Sequence, residues 1–290
     1  AKEYKNCDYN WHTPSVSLLG THELDATASF GQMYEYGTHH KTKEEGDYYA
    51  KIRSQEAHCR QTQVTGSGNC KHFRAGYTFT LKDHFNADLN QEYLITEVRE
   101  NASQGMSMGG AAVADGNTGT YQMTFVAIPT TVNEQEIFFR PKRITPKPVV
   151  PGLINGKIDD SSSGDYAELD DNGSYKCRTF SDLSGTEAGK GSRFVRQAQD
   201  YAGAGMGSHY PAHKGTEVAF VCTEGDPNRP MILGQVPNAE TIGPVTGDNQ
   251  SQCKTVTGGG NSVTIEDTDG SQSMTLFSPT SNTTIRIGSP

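Results

Sequence analysis

Apolar residues in this chain rarely run together. They alternate with polar ones over five or six positions and then give way to Gly, Pro, Asn, Asp or Ser. Alternation of period two, bounded by turn residues, is the pattern of short, half-buried strands. In residues 1–140 it predicts strands over 77–81, 93–98 and 121–128, with a small, Gly/Met/Ala-rich loop at 104–119 between the last two. One stretch differs: over 44–63, Tyr48, Tyr49, Ile52 and Cys59 recur at helical spacing with no Gly or Pro after Gly46, which predicts a single helix. Over 152–238 five short strands follow at 153–158, 175–179, 193–197, 217–222 and 231–236. No helix there is long enough to cover a sheet, so a small closed barrel of the OB type is expected, which removes its own exposed edges.

The last block, 239–290, carries the clearest periodicity. Val263-x-Ile265, Met274-x-Leu276 and Ile285-x-Ile287 repeat at an interval of 11 residues, and each pair defines a short strand with one oily face. Six such side chains, at about 1.5–3 kcal/mol each, cannot offset the ordering of a segment this long. The segment therefore requires neighbours. An economical arrangement winds copies of the chain about one axis, with Val263, Ile265, Met274, Leu276, Ile285 and Ile287 as the core, and a threefold suits so narrow a prism.

Composition sharpens this picture. The chain has 290 residues, 33% of them hydrophobic, with 32 Gly and 13 Pro, which fits one large or two to three small, mainly β domains with little core per residue. Its 34 acidic against 25 basic groups give a net charge of −9, an argument against nucleic acid and anionic membrane surfaces as partners. No stretch approaches the roughly 18 apolar residues of a spanning helix, so a soluble chain without stable membrane insertion is expected. The sequence opens at Ala1 without a charged and apolar leader, which reads as a removed leader or a fragment. Six scattered cysteines fit a reduced compartment during folding better than a disulfide scaffold. Residues 140–151 hold four prolines and four cations and exclude a helix, as expected of an interdomain connector.

Several groupings invite chemistry. Gly105-Met-Ser-Met-Gly109 fits a nucleophile elbow, but no strand and helix flank it as that motif requires, and a loop is the expectation. The 185–192 segment resembles a phosphate loop yet fails the Walker spacing, leaving an exposed inter-strand loop. His58, Cys59, Cys70 and His72 could form a four-ligand zinc site, although adjacent residues on a helix point about 100° apart. A Cys59–Cys70 contact or disulfide, or two half-buried thiols, are the alternatives. His39-His40 is expected to be solvated in a polar loop. The carboxylates Asp159-Asp160, Asp170-Asp171 and Glu266-Asp267 with Asp269 lack an EF-hand pattern and are expected in turns. No catalytic residue, cofactor or enzyme domain is expected.

Gly225-Asp-Pro-Asn-Arg-Pro-Met-Ile-Leu-Gly-Gln-Val-Pro-Asn238 resembles the valine-glycine repeat (VgrG) proteins of type VI secretion, relatives of contractile phage tail hubs and spikes. Val195-Arg196, Ala202-Gly203, Gly207, Pro211, Gly215 and Glu217-Val218 fall at that family's OB-barrel positions. Phe194 stands where a tryptophan is usual, a change expected to affect packing rather than role. Upstream, Asp8-Tyr9-Asn10 with Pro14, Tyr34-Glu35-Tyr36-Gly37, Gly76-Tyr77-Thr78-Phe79-Thr80-Leu81 and residues 91–99 resemble the second half of the hub region. The resemblance covers essentially the whole chain, with the first half of the hub absent and the needle cut short, as in a fragment of a longer polypeptide.

It implies a mainly β chain. Its expected parts are a phage-hub-like β-barrel domain with one helix (1–140), a connector (141–151), an OB-fold barrel (152–238) and the start of an intertwined trimeric β-helix (239–290). It also implies a homotrimeric spike docked on the Hcp tube ring at its hub end and capped by a PAAR-repeat tip protein. Such a spike carries effectors or adaptors, assembles in the bacterial cytoplasm and is injected through the target envelope. The alternatives are the central hub of a phage tail or extracellular injection particle and, from another class, a carbohydrate-active β-solenoid. The latter is disfavoured by a single aromatic, Phe277, in 238–290.

Overall fold

Strand-forming alternation becomes two β-rich units, Ala1–Thr145 and Pro146–Pro290, in a computed structural model that describes residues 1–24, 30–103 and 120–288. In the first unit, β1 (Glu3–Cys7) is the central strand of a three-stranded sheet. It is flanked by antiparallel β2 (Gly20–Glu23) and parallel β3 (Gln32–Tyr36). Helix α1 (Lys43–His58) lies against β1 and β2. Its N-cap Thr42 accepts from the Glu45 N–H at 3.3 Å, and the Glu45 carboxylate reaches back to the Lys41 N–H at 2.7 Å, satisfying donors a helix start leaves open.

The helix ends at His58, earlier than 63, and its buried face differs from the expected one. Gly46, Ala50 and Ser54 face inward, while Tyr48 and Tyr49 are exposed. Small residues win because the sheet approaches so closely. A Cβ on Gly20 would lie 2.3 Å from the Gly46 carbonyl carbon, and Asn6 Nδ2 donates to the Gly46 carbonyl at 3.1 Å. His40 fills the same region. Contrary to the solvated reading it is buried, with Nε2 2.6 Å from the Leu18 carbonyl and Nδ1 2.7 Å from the Thr38 hydroxyl. Since a carbonyl can only accept, Nε2 donates in this contact. His39, at φ 63°, donates its N–H to buried Asp8.

A second sheet of this unit has the order β4 (Val64–Gly68), β7 (Tyr121–Pro129), β6 (Glu92–Ala102), β5 (Thr78–Thr80). Phe73, Phe79, Tyr93 and Phe125 cluster with ring centroids 4.9–5.5 Å apart, a separation suited to edge and offset contacts. A two-residue ribbon, β8 (Thr131–Val132) with β9 (Gln135–Glu136), follows. The 104–119 loop and the Gly105–Gly109 motif lie outside the described residues.

In the second unit β10 (Leu153–Ile158), β11 (Cys177–Thr179), β14 (Glu217–Cys222) and β15 (Pro230–Gln235) form an antiparallel sheet of order β11-β10-β14-β15. A short ribbon, β12 (Ala202–Gly203) with β13 (Met206–Gly207), projects between them in sequence. The strand expected at 193–197 is reduced to single bridges, Tyr175 with Val195 and Gln197 with Ile232. These still close the core of Ile158, Tyr175, Cys177, Val195, Ala212, Val218, Phe220 and Ile232. The Tyr175 hydroxyl, buried with them, accepts the Ala212 N–H at 3.0 Å, so the ring enters the core without an orphaned oxygen.

The chain then forms a four-stranded antiparallel meander: β16 (Gln252–Val256), β17 (Ser262–Glu266), β18 (Ser273–Ser278) and β19 (Thr283–Gly288). The three expected strands are present, and the structure adds β16, whose alternation is too polar to announce itself. No described helix is long and apolar enough to cross a membrane.

Candidate functional site

The meander is the best-defined candidate site, and its register explains why. Cys253, Ile265, Met274 and Ile287 stand directly opposite one another across the four strands, and so do Thr255, Val263, Leu276 and Ile285. Because strand side chains alternate between faces, both rows lie on one side. The other side carries Lys254, Thr264, Thr275 and Arg286, with Gln252, Glu266 and Ser273 in the next row. Turns at Gly260 (φ 78°), Gly270 (φ 75°) and Ser281-Asn282 (φ 57° and 48°) keep the register through each reversal.

Burial is inverted relative to a normal sheet. Val263, Met274, Leu276, Ile285 and Ile287 are 46–67% exposed, whereas Thr264, Glu266, Ser273 and Thr275 on the polar side are half-buried. All six residues expected from the 11-residue repeat therefore lie on one face, five of them largely open to water in the single chain. An oily stripe of this kind marks an interaction surface. The polar side is tied down locally. Glu266 accepts from Ser251 Oγ at 2.6 Å, Thr268 Oγ1 at 2.5 Å, the Thr268 N–H at 2.9 Å and Gln252 Nε2 at 3.1 Å. These bonds, from Ser251 foremost and then Thr268, hold its carboxyl down to about 2.

The other candidates have structural roles. His58 and Cys59 sit at the end of α1, where His58 Nδ1 donates to the Leu24 carbonyl at 2.9 Å and the buried Cys59 thiol lies 3.4 Å from the Glu56 carbonyl. Cys70 and His72 follow β4 in a turn, and both cysteines are free thiols. His58 and Cys59 instead face backbone carbonyls, that of Leu24 for the imidazole and those of Glu56 and Arg140 for the thiol. Among the described residues no group of three or more His, Cys, Asp and Glu is placed to hold a metal.

The 185–192 loop is folded around a cation, opposite to a phosphate cradle. Arg178 donates to the carbonyls of Thr186 and Glu187 at 3.0 and 2.8 Å and pairs with Asp182 and Asp159 at 2.8 and 3.2 Å. Burial pushes the Asp159 carboxyl up, but bonds from the Gly191 and Gly189 N–H groups and Arg178 hold it below its ordinary value. Asp160 is likewise raised by burial, yet is brought to about 2 by the Ser162 hydroxyl and the N–H groups of Ser162 and Glu168. Asp170 caps the Asn172 and Ser174 N–H groups. These carboxylates hold turns, as expected of Asp at such positions.

The family described as phage tail baseplate hub (GPD) matches residues 1–106, and the type VI secretion system/phage-baseplate injector OB domain matches 169–236. The type VI secretion system spike protein VgrG1b of Pseudomonas aeruginosa is 26% identical over 241 residues, covering 82% of this chain and 31% of that protein. The actin cross-linking toxin VgrG1 of Vibrio cholerae is 26% identical over 244 residues, covering 82% of this chain and 21% of that protein. A solved Francisella PdpA-VgrG complex superposes over 95% of this chain and 47% of its own with a TM-score of 0.50 at 8% identity, a likeness of fold. The chain thus spans about a third or less of the length of these curated relatives.

Proposed function

We propose that this chain, a relative of the VgrG spike proteins, is a structural part of a type VI puncturing device: part of the hub, the OB collar and the first turns of a trimeric needle. The observation that carries the reading is the face bearing Val263, Ile265, Met274, Leu276, Ile285 and Ile287, which only copies of the same stripe fill symmetrically. Three such sheets enclose a dry centre, and every strand is held by a row of backbone hydrogen bonds. Local failure under load then requires many bonds to break together.

In this reading the hub end seats on the Hcp tube ring, a PAAR-repeat protein sharpens the far end, and effectors or adaptors travel with the assembly. The whole is built in the cytoplasm and expelled by the type VI machinery. The hub, OB and needle parts contribute binding and stiffness rather than catalysis. Support comes from the hub and OB family matches and from the curated spike relative and the toxin sharing this region.

Light scattering tests the oligomer directly. Three 31.4-kDa chains give a particle of about 94 kDa. A folded particle of 31.4 kDa across the micromolar range overturns the reading.

A further inference from the structure

The cationic, proline-rich segment joining the two units is fastened at both ends, each to its own unit. On the first unit, Arg140 Nε donates to Gln55 Oε1 at 2.9 Å, and its carbonyl accepts from Arg60 Nη2 at 2.8 Å. The Arg143 N–H donates to Glu56 Oε1 at 2.9 Å and its guanidinium to Glu35 Oε1 at 2.6 Å. Those two carboxylates are themselves fixed: buried Tyr4 donates to Glu35 Oε2 at 2.6 Å, and Arg53 pairs with Glu56 at 2.6 Å. Residues 140–143 therefore form a strap across the last two turns of α1 and onto β3.

On the second unit, Lys147 Nζ lies 2.7 Å from Asp226 Oδ2, whose side chain is buried, and the Val150 N–H donates to the Gly225 carbonyl at 2.8 Å. Val149 packs on Gly225, which has φ 74°. A Cβ there would stand 2.6 Å from Val149 Cγ1, so the strap and the glycine require each other. Between the straps, Ile144, Thr145 and Pro146 make no hydrogen bond or ion pair among the described residues, and Ile144 is exposed.

We infer that residues 140–150 act as two latched straps and a three-residue hinge, Ile144–Thr145–Pro146, rather than as a free linker of eleven residues. The carboxylates Glu35, Glu56 and Asp226 are the latches. In a machine that works by thrust, this confines bending between successive parts to one point, and proline at position 146 narrows it further.

Hydrogen exchange on the intact protein reads this out. The Arg143 and Val150 N–H groups are expected to be protected while those of Ile144 and Thr145 exchange at the rate of an unstructured peptide. Equal exchange at all four positions overturns the inference. Trypsin gives an independent measure: Arg140 and Lys147 precede proline, and of the two remaining sites, Lys142–Arg143 and Arg143–Ile144, the latter is the informative bond. In the intact protein that bond is expected to be cleaved about tenfold more slowly than in a peptide spanning 136–155, because cleavage requires local opening. Glu35→Gln with Glu56→Gln is expected to restore the fast rate while the far-UV circular dichroism spectrum and melting temperature stay at wild-type values. Cleavage of the intact protein at the peptide rate, or no acceleration in the double variant with its fold intact, overturns it. Should that pair fail to fold, Glu35→Gln alone, measured by exchange at Arg143, decides the same question.

Discussion

The second unit contains two four-stranded antiparallel sheets written in the same alternating pattern, with opposite fates for their apolar residues. In the sheet β11-β10-β14-β15, Val218 and Ile232 are 0% exposed, because the chain between 160 and 215 returns over the inner face with Tyr175, Val195 and Ala212. In β16–β19 the connections are turns of a few residues, no described segment returns over the oily face, and Leu276 and Ile287 stay open. Alternation states which face is oily; the length of the connections decides whether the same chain can cover it. A sheet with long loops makes a domain, and a sheet with tight turns makes half an interface.

The largest effect expected from that contrast is at the open face. Ile265→Asp or Leu276→Asp places like charges at a shared apolar centre, where removing each ion from water costs several kcal/mol, roughly enough to abolish association. Gel filtration is expected to show a folded monomer; an unchanged oligomer for both variants removes the packing proposed here. In the closed sheet, Ile232→Ala acts within one chain. It is expected to cost about 2–5 kcal/mol of domain stability through cavity formation, with a melting point independent of protein concentration. A loss under 1 kcal/mol by denaturant titration, roughly the scale of a surface change, would mean that the OB core is looser than its burial indicates.

The thiols sharpen the same contrast. Burial pushes the Cys177 and Cys222 thiols up, so both should resist iodoacetamide in any state. Cys253 is exposed in the single chain, in the same row as Ile265. Its alkylation is expected to be slow in the assembled protein and fast in Leu276→Asp. Equal rates would place β16 outside the covered face. The smallest effect concerns Glu266. With its carboxyl held down to about 2, its contribution is present above the ordinary carboxylate range and is lost as pH falls from there toward 2. Amide exchange in β16 and β17 is expected to rise over that acid window in wild type and to be flatter with pH in Glu266→Gln; identical profiles would count against the clamp.

Legibility in the sequence followed the strength of the local signal. Strands β10 and β14 begin and end where alternation places them, and the Val263–Ile287 repeat marks its face residue by residue. The helix was legible but its inner face was not. Gly46, Ala50 and Ser54 carry no hydrophobic signature, and only the close approach of Gly20 selects them. Strands β1 to β3 left no clear trace because they are short and polar, and β1 and β3 pair in parallel across about 30 residues. His40 looked solvated among polar neighbours, since nothing nearby in sequence reveals its partner, the Leu18 carbonyl. The 140–151 connector was readable from its prolines, but its latches lie on Glu35, Glu56 and Asp226, which only the folded chain brings to it.

The meander also has a consequence for growth. In the proposed trimeric needle, each added strand needs only another tight reversal and two more inward side chains, and it leaves the girth of the needle as it was. Reach then becomes a matter of counting rungs, adjustable by duplication of a short stretch of gene, while the OB-type sheet need not change at all.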